Sequence, residues 1–164
     1  MAIDTNPFVV LSYVSGPALL TNATSLLLLS TTNRFARAID RSRHLTDLLA
    51  SPPAGRDVSV EVNEVPIVGR RIKLIALSIA GFYLAAAMFA LATVTSILGA
   101  VLAEQFGGTV LDVIVAFAVF LGAIGFAAFV TGAFALVIET RLVMGALSFE
   151  SGAAIAALER TIRR

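Results

Sequence analysis

The sequence is constrained most by a long run, Leu74–Ala103, that contains no charged side chain. A helix crosses the hydrocarbon core of a bilayer with about 20 mainly apolar residues, and this run is longer. A second run, Thr109–Ile138, holds only Asp112, near its start. The chain is 58% apolar and 14% charged, whereas soluble domains average about 45–50% and about 25%. Because a soluble fold of 164 residues could not bury so much apolar surface, both runs predict membrane-spanning helices.

A third span is predicted near the N-terminus, over residues 8–30, which are uncharged but interrupted by Ser, Thr, Asn, Gly and Pro. The preceding segment, Met1–Pro7, has no Lys or Arg, so the run lacks the basic region of a cleaved signal peptide and is interpreted as a retained helix. The chain is therefore predicted to be an all-α, polytopic membrane protein. It forms a single membrane domain over residues 1–164, with spans at about 8–30, 74–103 and 109–138.

The basic residues predict the orientation of these spans. All 12 Lys and Arg residues lie between the first and second spans or after the third. The N-terminus and the turn Glu104–Gly108 contain none. The positive-inside rule then places the N-terminus outside and the C-terminus inside.

The predicted cytoplasmic parts extend the helices. Residues 31–50 form an amphipathic helix, and Arg34, Arg37 and Arg41 share one face because they are spaced by three and four. These arginines contact anionic lipid headgroups, or they line an oligomer interface or a charged vestibule. Residues 51–64 are predicted to be a loop in preference to a strand, although 58–62 alternate apolar and polar residues. The second helix then begins near Val65, and residues 141–164 form a C-terminal helix.

Polar side chains gather on one side of the first span, within an arc of about 140° on an ideal helix: Ser12, Ser15, Asn22 and Ser25. A lipid-facing surface has no reason to collect them. They indicate hydrogen bonding between helices or a water-lined path.

Two acids and a row of small residues mark the third span. Gly122, Gly125 and Gly132 predict a seam where helices approach closely. Asp112 lies near the helix N-terminus, which favours a carboxylate; the alternative is an ion site. Glu139 lies at the inner end, where we expect Arg34, Arg70 or Arg71 to neutralise it; the alternative is a carboxylate that binds or gates ions.

Short motifs give the chain a family resemblance. They are Thr32-Asn33-Arg34, then Arg41-x-Arg43-x-Leu45, the pair Arg70-Arg71 at the second span, and Glu139 at the end of the third. Over residues 8–147 this pattern resembles a family of small bacterial three-helix membrane proteins of unknown function. The resemblance implies a multi-pass protein of the bacterial cytoplasmic (inner) membrane and implies no activity.

The residues favour binding or assembly over catalysis. There is no cysteine, and His44, the one histidine, lies on an exposed helix with no nucleophile arrangement or metal cluster beside it. We therefore predict no enzyme activity, catalytic residue, cofactor or metal, and a net charge of +1 argues against nucleic acid. The sequence favours a homo-oligomer in the bilayer, with an ion-permeable pore lined by the first helix. Alternatives are a scaffold or accessory subunit bound to other membrane subunits, and a membrane-tethered sensor.

Overall fold

The computed structural model of the chain is all-α and contains three long helices, as the sequence predicts. In chain order they are α1 (Pro7–Ala50), α2 (Ser59–Leu102) and α3 (Gly108–Ile162). The structure describes the backbone of residues 7–53, 58–102 and 108–162, and the side chains of residues 15–53, 58–102 and 108–145. The turn predicted at 104–108 lies outside these residues, apart from Gly108.

Two helices run on without a break into the segments that were predicted to extend them. α1 passes without interruption from the predicted first span into the predicted amphipathic helix and ends before Pro52 and Pro53, which cannot continue a helix. In its last turn the Ser51 amide donates to the Asp47 carbonyl at 3.1 Å. α3 likewise runs to Ile162, so the segment predicted as a C-terminal helix is the end of α3.

The predicted loop over residues 51–64 is wrong in its second half, because α2 begins at Ser59 and not near Val65. The Val62 amide donates to the Val58 carbonyl at 3.1 Å, which starts a helical ladder where the alternating valines suggested a strand. An acid in the first turn, Glu61, favours a helix start through the helix dipole. Pro66 therefore lies inside the helix, where it removes a single backbone hydrogen bond.

The described residues form two compact units, and each helix contributes to both. The single membrane domain over residues 1–164 stays a prediction. Unit 1 comprises Met1–Asn33 and Ser78–Ala133, and unit 2 comprises Arg34–Leu77 and Phe134–Arg164. A helix of 44 residues, at about 1.5 Å per residue, rises about 66 Å. Side chains near its two ends therefore have different neighbours, and contacts cluster along its length.

Unit 1 buries residues spaced by three, four or seven along each helix, which is the heptad pattern of helices packed nearly in parallel or antiparallel. Thr24 and Thr31 are buried from α1. Phe82 of α2 packs against Phe129 of α3, with ring centroids 5.7 Å apart. The remaining buried side chains of this unit are Ser78, Ala85, Phe89, Ala92 and Leu121.

Unit 2 has the same spacing on its three helical segments. Its buried side chains are Ala38 and Leu45 from α1, Val68 and Ile75 from α2, and Ala135 and Glu139 from α3. A buried glutamate therefore occupies a core position otherwise filled by apolar residues, and this position anchors the candidate site.

Two of the helices are long and apolar enough to cross a membrane. Windows of 18 residues reach a mean hydropathy of 2.2 within Ser59–Leu102 and 2.7 within Gly108–Gly145. Within its described residues α1 contains no window that meets the same criterion, so the span predicted over residues 8–30 and the orientation stay predictions.

Candidate functional site

The candidate site is built on Glu139, which lies four residues after the buried Ala135 on α3 of unit 2. Positions four apart share a helix face, so the glutamate points into the unit with Ala135. Its side chain is only 3% exposed. An ionised carboxylate removed from water needs compensating charge and hydrogen bonds.

Two arginines supply that compensation from the other two helices. Arg71 of α2 donates from Nε to Glu139 Oε1 at 3.0 Å, and its Nη2 lies 3.0 Å from the same oxygen. Arg34 of α1 donates from Nη1 to Oε2 at 3.4 Å. Both carboxylate oxygens therefore have a cationic donor, and the three helices of unit 2 meet at this residue.

The position of Arg71 explains why it, and not Arg70, binds the glutamate. Arg71 follows the buried Val68 by three residues and precedes the buried Ile75 by four, so it lies on the core side of α2. Arg70 is one residue away from that row and is exposed. Of the three partners that the sequence suggested for Glu139, the structure places two, Arg34 and Arg71, at the carboxylate.

A cavity of about 300 Å³ opens beside this ion cluster within unit 2. Charged walls come from Arg34, Arg37, Arg71 and Glu139, and the other walls from Ala38, Thr140 and Val143. Three guanidinium groups and one carboxylate give the lining a formal charge of +2. We call these four charged residues the arginine–glutamate cluster.

The three arginines of the basic face predicted on α1 have different partners in the structure. Arg34 binds Glu139. Arg41 forms a bidentate ion pair with Glu64 of α2, in which Nε donates to Oε1 at 2.8 Å and Nη2 donates to Oε2 at 2.5 Å. Arg37 makes no ion pair or hydrogen bond with any residue that the structure describes. Of the three predicted arginines, Arg37 is thus the one without a carboxylate partner among the described residues.

The polar arc predicted on α1 is exposed within this chain. Ser15, Asn22 and Ser25 are exposed, and Ser12 lies outside the residues whose side chains are described. The Ser25 hydroxyl donates to the Thr21 carbonyl at 2.9 Å, whereas Asn22 has no hydrogen-bond partner among the described residues. The arc thus has surface available for another molecule.

Sequence reasoning missed the threonines that α1 does bury. Thr24 and Thr31 donate to the carbonyls of Leu20 and Leu27, both at 2.6 Å, which satisfies the hydroxyls inside unit 1. Their spacing of seven residues was the available signal, because a repeat of seven marks a packed helix face.

The small-residue seam on α3 is also displaced from the prediction. Gly125 and Gly132 lie against α2, but a Cβ at Gly122 would meet nothing within 4 Å. Gly122 is not part of the contact because the neighbouring Leu121 occupies the buried row instead. Gly81 of α2, which the sequence reasoning left out, faces the backbone of α3, where a Cβ would lie 2.9 Å from the Ala128 carbonyl oxygen.

The other predicted acid, Asp112, is exposed just past the first turn of α3. Among the described residues there is no group of three His, Cys, Asp or Glu side chains that could hold a metal ion. The chemistry that the described site offers is therefore charge compensation and the binding of anions by guanidinium groups.

A family model described as a protein of unknown function (DUF2721) matches residues 14–149, which include the whole arginine–glutamate cluster. No curated protein and no solved structure matches the chain.

Proposed function

We propose a role on the premise that the chain belongs to the DUF2721 family of proteins of unknown function. The role is that of a non-enzymatic, multi-pass protein of a bacterial cytoplasmic (inner) membrane, which self-associates through the polar face of α1. The observation that carries the proposal is a row of exposed small and polar residues on α1, beside exposed leucines such as Leu19 and Leu26: Ser15, Ala18, Asn22 and Ser25.

Residence in a membrane is supported by where unit 1 puts its apolar and polar groups. Phe120 and Phe126 are 60% and 57% exposed, whereas Thr24 and Ser78 are fully buried. Only 28% and 11% of the apolar windows in α2 and α3 are buried. A soluble monomer rarely exposes apolar patches of this kind, while helices in lipid pack through small and polar residues.

Self-association is supported by the spacing of the exposed row. Ser15, Ala18, Asn22 and Ser25 follow one another at intervals of three, four and three, which is the spacing of a helix–helix seam. Ser25 lies one residue, or about 100°, from the buried Thr24. In lipid, Asn22 needs a hydrogen-bond partner, and the same residue of a second copy offers both donors and an acceptor.

A pore is the second candidate, because the same exposed row lines a water-filled path if several copies surround it. The ion pairs of Arg34 and Arg41 argue against the strongest form of this idea. Carboxylates compensate two of the three arginines that would surround the cytoplasmic opening of the pore. Most of the positive charge that would select anions is therefore neutralised. We therefore favour a non-conducting assembly of copies of this chain. The alternatives are that the polar face of α1 binds other membrane subunits, or a partner that the protein senses.

We expect Asn22→Leu to weaken self-association by between about threefold and about 18-fold, since one interhelical hydrogen bond contributes about 0.6–1.7 kcal/mol. The measurement is energy transfer between labelled copies as the ratio of protein to nonionic detergent is varied. Asn63→Leu is the matched control, because Asn63 is exposed on α2, away from the row. A wild-type protein that stays monomeric at every ratio would refute the proposal, as would equal weakening by both variants.

Ion flux into liposomes separates assembly from conduction. We expect no flux of K⁺ or Cl⁻ above that of protein-free liposomes. Flux that the wild type supports and Asn22→Leu abolishes would replace the non-conducting assembly with the pore.

The proposed orientation has its own test, which is simple because the chain contains no cysteine. We expect an impermeant thiol reagent applied outside intact cells to label Gly107→Cys and not Arg56→Cys. Both positions lie outside the described residues, in the segments that the positive-inside rule assigns to opposite sides. Labelling of Arg56→Cys alone would reverse the topology.

A further inference from the structure

We propose that the cavity of the arginine–glutamate cluster is a binding site for a phosphate group, carried either by a lipid headgroup or by a free phosphate compound. The site lies within unit 2, and the proposal does not depend on self-association through α1.

The number of donors exceeds what the cluster itself can use. Glu139 accepts hydrogen bonds from Nε of Arg71 and from Nη1 of Arg34, while each guanidinium carries five N–H groups. Arg37 has no partner among the described residues. Most N–H groups of the three arginines therefore remain available to a ligand, and the fork of a guanidinium matches two phosphate oxygens.

The charge of the lining selects the class of ligand. A formal charge of +2 around a cavity of about 300 Å³ is complementary to a phosphate monoester or to the diester of an anionic lipid. Solvent screens the exposed part of these guanidinium groups, and an anion in the cavity compensates their charge directly through charge-assisted hydrogen bonds.

The buried glutamate has a positioning role in this site. By accepting from Nε of Arg71 on one oxygen and from Arg34 on the other, it fixes two guanidinium groups beside the opening before a ligand arrives. Groups held in the bound geometry in advance lower the entropic cost of binding. Ala38 and Val143 form an apolar wall that suits the carbon-bearing side of an ester.

The test uses the full chain, purified in a nonionic detergent and freed of phospholipid. One arm titrates inorganic phosphate by calorimetry. The other arm titrates phosphatidylglycerol, with phosphatidylcholine as the uncharged comparison, and counts bound lipids by native mass spectrometry. We expect one saturating site, and the arm that saturates identifies the source of the phosphate group.

Arg37→Gln is the decisive variant, because Arg37 lines the cavity without holding other described residues. We expect it to weaken binding about tenfold, the usual loss for a hydrogen bond to a charged group. Arg43→Gln makes the same change of charge on the same helix outside the cavity, and we expect it to leave affinity within about twofold. Equal weakening by both variants, or saturation in neither arm, would overturn the site.

Discussion

Replacing Arg71 with methionine is expected to lower the free energy of unfolding by about 3 kcal/mol, because the change leaves a buried carboxylate without its closer partner. Glu139 then retains only the contact of Arg34 at 3.4 Å. The side chain of Arg34 is 45% exposed, so solvent screens part of its attraction. The measurement is unfolding by SDS from nonionic detergent micelles.

A second substitution at the buried partner is expected to restore stability. Glu139→Met, added to Arg71→Met, recovers about 2 kcal/mol, because removal of both charges eliminates the unpaired carboxylate. Glu139→Met alone costs about 1 kcal/mol, since the Arg34 and Arg71 side chains are 45% and 30% exposed and can turn towards solvent.

Arg41→Met serves as the matched control, because the pair with Glu64 lies on the surface. We expect it to cost at most about 1 kcal/mol. If the losses from Arg71→Met and Glu139→Met simply add in the double variant, the two side chains are not energetically coupled.

The charge pattern was sufficient to predict the helices and the neighbourhood of the site. The two longest runs without, or nearly without, charge predicted long apolar helices, and α2 and α3 are apolar enough to cross a membrane. A lone acid at the end of an apolar run needs a cation nearby, which restricted the partners of Glu139 to a few arginines. Which of these bind it depends on helix register, and the structure is needed to show that Arg71 is on the core side and Arg70 is not.

Register is hard to predict in these helices because inner and outer faces are both apolar. Hydrophobicity therefore does not distinguish the buried Phe82 from the exposed Phe126. Small and polar residues spaced by three and four indicate the packed face instead, but one helix can have two such rows on neighbouring faces. On α1 one such row is buried and its neighbour, containing Asn22, is exposed, so polarity alone suggested the exposed row.

The close approach of α2 and α3 within unit 1 leads to the second large effect, at Gly81. A Cβ there would lie 2.9 Å from the Ala128 carbonyl oxygen and 3.2 Å from the Cα and N atoms of Gly132. These are backbone atoms, which cannot rotate away as a side chain can, so the helices must separate. We expect Gly81→Ala to lower the free energy of unfolding by about 2 kcal/mol, a typical cost of overpacking, even though alanine favours the helix.

Gly122→Ala is the control that separates the cost of overpacking from the gain in helix propensity. It makes the same change on α3, where a Cβ would meet nothing within 4 Å. Only the helix propensity then changes, and we expect a gain of up to about 1 kcal/mol. SDS unfolding of the two variants should thus move in opposite directions from the wild type. Equal shifts would show that α2 and α3 do not approach at Gly81, since propensity alone would then account for both.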